Sequence, residues 1–360
     1  MIFRNGKSAA GFFCASNGQE AALKRNFLLT VLLAVAGGCA LGFFVARAVY
    51  QSETLTHKAA VPLRKAKPDR SRWLKDPNIV FTITVDLDLD KKKAEKFPDD
   101  VERLIGVFKE FDVLKGVTWY VNEYAYPMTR DYPETLKKIV MTGGEIGLHT
   151  HLNDASLGGH TYFCSRDADK FARPGIFEPK KALENFTSEV LGKPYQLLSF
   201  KGGNHCRSTM LYKALIDAGF IYETTMVFGG IWRKEVDGAM TVVYDDLDLR
   251  MGRGPWFVDL QHPYQEDPEG KLLEIPETGY PNVEQWIKHI RTIRKTEKDM
   301  PIFFVMQIHP YSIVGVKEAV AYEKRLRDSI DPFPNRRFLS VREAGALYKE
   351  WLAKKRAGGK

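Results

Sequence analysis

Apolar residues fall along this chain in two alternating rhythms. NIVFTITV (78–85), VTWYVN (117–122), EIGL (145–148), YQLLSF (195–200), PIFFVMQI (301–308) and FLS (338–340) are short runs rich in β-branched and aromatic side chains, and they predict strands. Between them apolar residues return every three or four positions: Val101, Leu104, Ile105 and Phe108, then Leu136, Ile139 and Val140, then Ala182, Leu183, Phe186 and Val190. Leu211, Leu215 and Ile216 continue the series, followed by Val283, Trp286, Ile287 and Ile290, and by Ala344, Leu347 and Trp351. Each set predicts a helix with one buried face. Gly143-Gly144 and Gly219 stand where the second and fourth of these helices should stop. Alternation of strand and helix implies a parallel sheet, closed as a barrel or open. In such folds functional side chains gather just past the carboxyl ends of the strands.

One stretch follows neither rhythm. FLLTVLLAVAGGCALGFFVA (27–46) carries no charge, and a helix of that length rises about 30 Å, enough to cross a hydrocarbon core. It predicts a transmembrane helix. Ala46-Arg47-Ala48 leaves a cleaved signal peptide as the alternative, but the run is longer than a signal h-region, which favours an uncleaved anchor. Lys and Arg flank the run on both sides, so charge does not set its orientation. The predicted order is a basic segment (1–26), a signal-anchor (27–48), a basic linker (49–78), one α/β domain (79–352) and a basic tail (353–360). Net charge is +8, from 53 Lys and Arg against 45 Asp and Glu, but the surplus lies in these flanks. A basic groove for nucleic acid is therefore not expected on the folded domain. With 44% hydrophobic residues and only 4 Cys, the chain is neither disordered nor a disulfide-stapled scaffold.

The strand ends carry the candidate chemistry. After the first strand come Asp86, Asp88 and Asp90, alternating with leucines, so the three carboxylates share one face of an extended segment. Like charges stacked in this way repel unless a cation or a raised pKa relieves them, which suits a metal or catalytic role. After the third strand stands His149-Thr-His151-Leu-Asn153, whose two imidazoles at i and i+2 can ligate one ion through nitrogen. Lys201-Gly-Gly-Asn-His follows the fourth strand, where the glycines allow close backbone approach and Lys201 can set a carboxylate or a substrate. His309-Pro310 ends the late strand, placing an imidazole to act as acid or base.

The order of an acidic pair, GGEIGLHTH, SFKGG and a late strand ending in His-Pro resembles the polysaccharide deacetylase family (NodB-homology, carbohydrate esterase family four) over roughly 78–350. The resemblance implies a distorted (β/α) barrel of about seven parallel strands holding a divalent metal, commonly zinc. Carried over by motif, Asp86 would be the general base, His309 the acid, and Asp88 with His149 metal ligands. Two positions depart from the usual pattern. Asn153 stands where most members place the second metal histidine, and His151 is expected to replace it, as in the His-x-His subgroup. Lys201 holds the place of an arginine that pairs with the base, keeping the charge without the planar fork. The implied reaction is hydrolysis of N-acetyl groups on an amino-sugar glycan, releasing acetate. Such substrates place the domain outside the cytoplasm on a single-pass anchor. Tyr162, Trp232 and Trp256 are candidates to stack on sugar faces, with plain packing as the alternative. Two other functions stay open: a membrane-tethered glycan-binding protein with a degenerate site, and a metal-dependent amidohydrolase on another C–N substrate. Cys164 and Cys206 follow the third and fourth strands, and an oxidising compartment would let them pair or leave them two separate thiols.

Overall fold

A computed structural model describes residues 70–358, apart from residue 90 and residues 152–171, 206–208, 229–230, 237–238, 246–251, 280–282 and 314. The apolar run 27–46 and its flanks lie outside the described residues, as do Asp90, Asn153, Tyr162, Cys164 and Cys206. Among the described residues no helix is long and apolar enough to cross a membrane. Asp69–Lys360 form a compact unit.

Strands β1 (Ile79–Leu87), β2 (Val117–Val121), β3 (Glu145–Thr150), β4 (Ser199–Gly202) and β5 (Tyr222–Glu223) pair in chain order, all parallel. A hairpin of β6 (Ile231–Val236) and β7 (Ala239–Asp245) stands apart from this sheet. Beyond β5 come β9 (Leu273–Glu274), parallel, and β8 (Trp256–Phe257), antiparallel at the edge. On the other side of β1 lies β10 (Ile302–Ile308), and β11 (Arg337–Phe338) pairs with the first half of β1. The sheet curls. Thr278, just past β9, donates from its amide and its hydroxyl to the Val305 carbonyl of β10, at 2.9 and 3.0 Å. The α/β class and a mostly parallel, barrel-like sheet are thus present as expected.

Helices α1 (Phe97–Glu110), α2 (Pro133–Met141), α3 (Glu178–Leu191), α4 (Thr209–Asp217), α5 (Val283–Thr296), α6 (Val316–Ile330) and α7 (Val341–Gly358) contain every helical set read from the apolar spacing, and add α6. β1 is buried along its whole length. Its odd positions face an aromatic cluster in which Phe81 meets Trp286 of α5 and Phe304 of β10, the last two stacked at 4.4 Å. Its even positions, Thr84 and Asp86, lie in register with Thr118 and Tyr120 of β2, on the inner face. The Tyr120 ring crosses that interior, and its hydroxyl accepts from Thr224 at 3.0 Å.

The fourth strand begins later than YQLLSF suggests. The Tyr195 hydroxyl accepts from the Ile146 amide at 2.9 Å and donates to the Ile146 carbonyl at 3.1 Å. A side chain thus takes the ladder's place beside β3 until Ser199, and Lys201 falls within β4, where its register partner is His149.

α7 lies across the amino-terminal end of the barrel. The amide of Val341 donates to Thr118 Oγ1, and that of Arg342 to Glu145 Oε2, both groups at the starts of inner strands. Further along, Gly345 admits the Tyr222 ring against the helix, and Tyr348 packs edge-on against Phe303. The basic residues Lys354, Lys355 and Arg356 continue this helix.

Candidate metal and acid–base site

At the carboxyl ends of β1, β3, β4 and β10 the strands open a cavity of about 220 Å³, whose walls include Asp86, Asp88, His149, His151, Lys201 and His309. All six site residues expected from the sequence therefore meet in one place.

Asp88 Oδ2, His149 Nε2 and His151 Nε2 converge. The oxygen lies 2.9 Å from His151 and 3.4 Å from His149, and the two nitrogens are 3.1 Å apart. Ligands about 2.0–2.1 Å from a tetrahedral ion stand roughly 3.3 Å from one another, so three corners of such a site are in place. Each donor is held from behind. His149 Nδ1 donates to the Lys201 carbonyl at 3.0 Å, which leaves Nε2 as the lone-pair nitrogen facing inward. Asn122, at the end of β2, donates to Asp88 Oδ1 at 2.8 Å and leaves Oδ2 to the cluster. His151 packs on Gly203, where a Cβ would come 2.5 Å from the imidazole Cγ. Burial opposes charge on both Asp88 and His149. The histidines nonetheless hold Asp88 well below the carboxylate range, and Asp88 with Asp86 lifts His149 above its ordinary value. This negative potential and the N,N,O donor set fit a divalent cation.

Beside the cluster lies a buried charge network. Lys201 Nζ stands 3.1 Å from Asp86 Oδ2 and also donates to Glu277, from the segment after β9. Gln307 of β10 donates to the same Asp86 oxygen, and His309 Nε2 lies 3.8 Å from it and 3.7 Å from Asp88 Oδ2. Burial would raise Asp86, but Lys201, His149 and His309 outweigh it and hold the carboxyl below its usual value. Burial pushes Glu277 up to about 7, against the pull of Lys201. Burial also lowers His309, partly offset by Asp86 and Asp88, and its ring stacks on Tyr311 at 4.7 Å. One ionised carboxylate, a fixed ammonium and an imidazole thus face one space.

Sequence reading missed Asn122, Glu277 and Gln307. Asn122 ends VTWYVN and Gln307 lies within PIFFVMQI, so each was absorbed into a strand; Glu277 sits in LLEIPET, with no motif to mark its chemistry. His205 was passed over too. It lines the cavity at φ 55°, donating to the Thr225 carbonyl at 2.7 Å. Trp256 does not face the site: it is buried, donates to the Pro263 carbonyl at 2.9 Å and carries the Arg253 guanidinium on its ring. It packs, the alternative expected for it, and does not stack on a sugar at this site.

A barrel-like α/β sheet with an Asp–His–His cluster beside an Asp–Lys pair defines a class of site suited to metal-assisted hydrolysis. No protein-family model and no curated protein matches the chain. The resemblance to polysaccharide deacetylases extends to solved structures. A candidate polysaccharide deacetylase from Mycobacterium smegmatis is 17% identical, with a TM-score of 0.48, covering 76% of this chain and 91% of its own. An allantoinase is 13% identical, with a TM-score of 0.47, covering 79% and 92%. A carbohydrate esterase family four pseudoenzyme from Bacillus anthracis is 9% identical, with a TM-score of 0.40, covering 75% and 66%.

Proposed function

We propose that this chain is a metal-dependent deacetylase that hydrolyses N-acetyl groups on an amino-sugar glycan, releasing acetate and a free amine. The observation that carries the reading is the meeting of three ligand atoms, an ionised aspartate and a histidine around one cavity. Asp88, His149 and His151 would hold the ion, for which zinc is the choice that two imidazoles and a carboxylate favour. When bound, the ion supplies Lewis acidity, acidifying water and polarising the acyl oxygen. Asp86 accepts the proton of the attacking water, because Lys201 and Gln307 keep its carboxylate ionised and aimed. His309, once protonated, would give that proton to the leaving nitrogen, the step that makes the amine a viable leaving group; against burial, Asp86 and Asp88 beside it favour the protonated ring. We place the domain on the extracytoplasmic side of a membrane, tethered through residues 27–46, since that is where such glycans lie.

The test is metal analysis of the purified full-length protein, with acetate release measured on a panel of N-acetylated glycans. His149→Ala and Asp88→Ala should each lose the metal and stay folded. Asp86→Asn should keep the metal and lose about 10²–10⁴-fold in rate, the usual worth of a general base. Metal-loaded protein that binds a glycan without releasing acetate would overturn the reading in favour of a binding protein.

A further inference from the structure

A second cavity, of about 260 Å³, opens at the other end of the barrel. Its walls come from the last turn of α5, the second half of α7 and the segment 252–256. Tyr348 on its wall packs against Phe303 near the start of β10, whereas His309 follows that strand's end, so the two cavities stand roughly 20 Å apart along the strand.

Two of the polar groups here, on Tyr348 and Glu266, have no protein partner among the described residues. Tyr348 is only 4% exposed, yet among the described residues its hydroxyl has no hydrogen-bond partner. The hydroxyl oxygen is not itself enclosed and opens into the cavity, where a ligand or water can reach it. The carboxylates of Glu266 and Glu297 and the guanidinium of Arg253 are the charges nearest in effect to that hydroxyl. Glu297 pairs with Lys355 at 2.5 Å, while Glu266 has no ion-pair partner among the described residues. Arg253 is held rigidly, donating to the Tyr264 carbonyl and stacked 3.7 Å over Trp256. Ile293 and Met300 supply an apolar patch.

These walls select by chemistry. An anion would meet Glu266 and Glu297, and a cation would meet Arg253 and Lys355, so neither is favoured. A neutral polyol fits. Each hydroxyl both donates and accepts, which suits Glu266 as acceptor, Arg253 as donor and the Tyr348 phenol as either. A ring with an apolar face adds contact with the aliphatic patch. We infer that this cavity binds one sugar residue of the glycan on which the distant site acts, an inference that rests on the proposed function for its choice of ligand. The cavity would hold a long polymer while the far end of the barrel works on it.

Calorimetric titration of the full-length protein with the hexamer of N-acetylglucosamine tests this. Losing one hydrogen bond should raise Kd about three- to tenfold in Tyr348→Phe and in Glu266→Gln. His149→Ala, which disables only the first site, should retain binding that Tyr348→Phe then weakens when the two are combined. Binding with unchanged Kd in Tyr348→Phe and Glu266→Gln, or no binding by the wild type, would overturn the inference. Acetate release is measured in parallel. Absent release together with weakened titrations in both variants would remove the catalytic reading and support the second site.

Discussion

Lys201 carries one positive charge between two buried carboxylates, Asp86 and Glu277. It cannot satisfy both in full, and burial pushes Glu277 up to about 7 from 4.5. The folded protein then binds more protons than the unfolded chain between those values. Stability from this group is therefore complete below pH 4.5 and lost as pH rises to 7, on the order of 3 kcal/mol. Urea unfolding across that window should show the wild type losing this stability relative to Glu277→Gln as pH rises. Gly203 acts by its lack of a side chain. Gly203→Ala should displace the His151 ring and weaken metal affinity at least about tenfold, as lost support of a ligand does, with the far-ultraviolet spectrum unchanged. The candidate ligands were legible because strand-end carboxylates and a His-x-His are unusual in any other setting, and Asp86 was marked as a base by the family resemblance. Glu277 and Asn122 were not, since each acts through a residue distant in sequence that only the closed register brings near.

Helix α5 is seated by a different titratable group. His289 is buried against Phe228 and Phe304, and its Nδ1 accepts from the Gly252 amide at 2.7 Å, so the ring is held neutral. Burial lowers it to about 4 from 6.5. Between those values the unfolded chain binds more protons, so stability rises with pH, again by roughly 3 kcal/mol. This slope opposes that of Glu277 over nearly the same range. The wild type should look almost flat from pH 4.5 to 6.5, and His289→Gln should expose the falling Glu277 slope when the two proteins are compared by denaturant midpoint. At this scale the sequence was most informative. Apolar spacing located the helices because each buries a single stripe, whereas the start of β4 was misplaced because the Tyr195 side chain supplies hydrogen bonds that periodicity cannot register.

Across the whole molecule, the strand–helix alternation gave the parallel sheet, but nothing in the spacing announced that the last helix would cross its open end. α7 covers the starts of β2, β3, β5 and β10 through Thr118, Glu145, Tyr222 and Phe303. Deleting residues 341–360 should expose these groups and abolish cooperative unfolding in calorimetry, even though no residue of the first cavity is removed. Lys201 has a further consequence at this scale. Its carbonyl orients His149 while its ammonium orients Asp86, so one strand position serves both halves of the proposed chemistry. A one-residue slip of β4 would turn the ammonium outward and shift the carbonyl off His149 together. Mutational damage to that strand should therefore be all-or-none: a lineage losing the proposed reaction there would lose the candidate cation site and the proposed base in a single step, leaving a barrel free to keep only the sugar binding inferred at its other end.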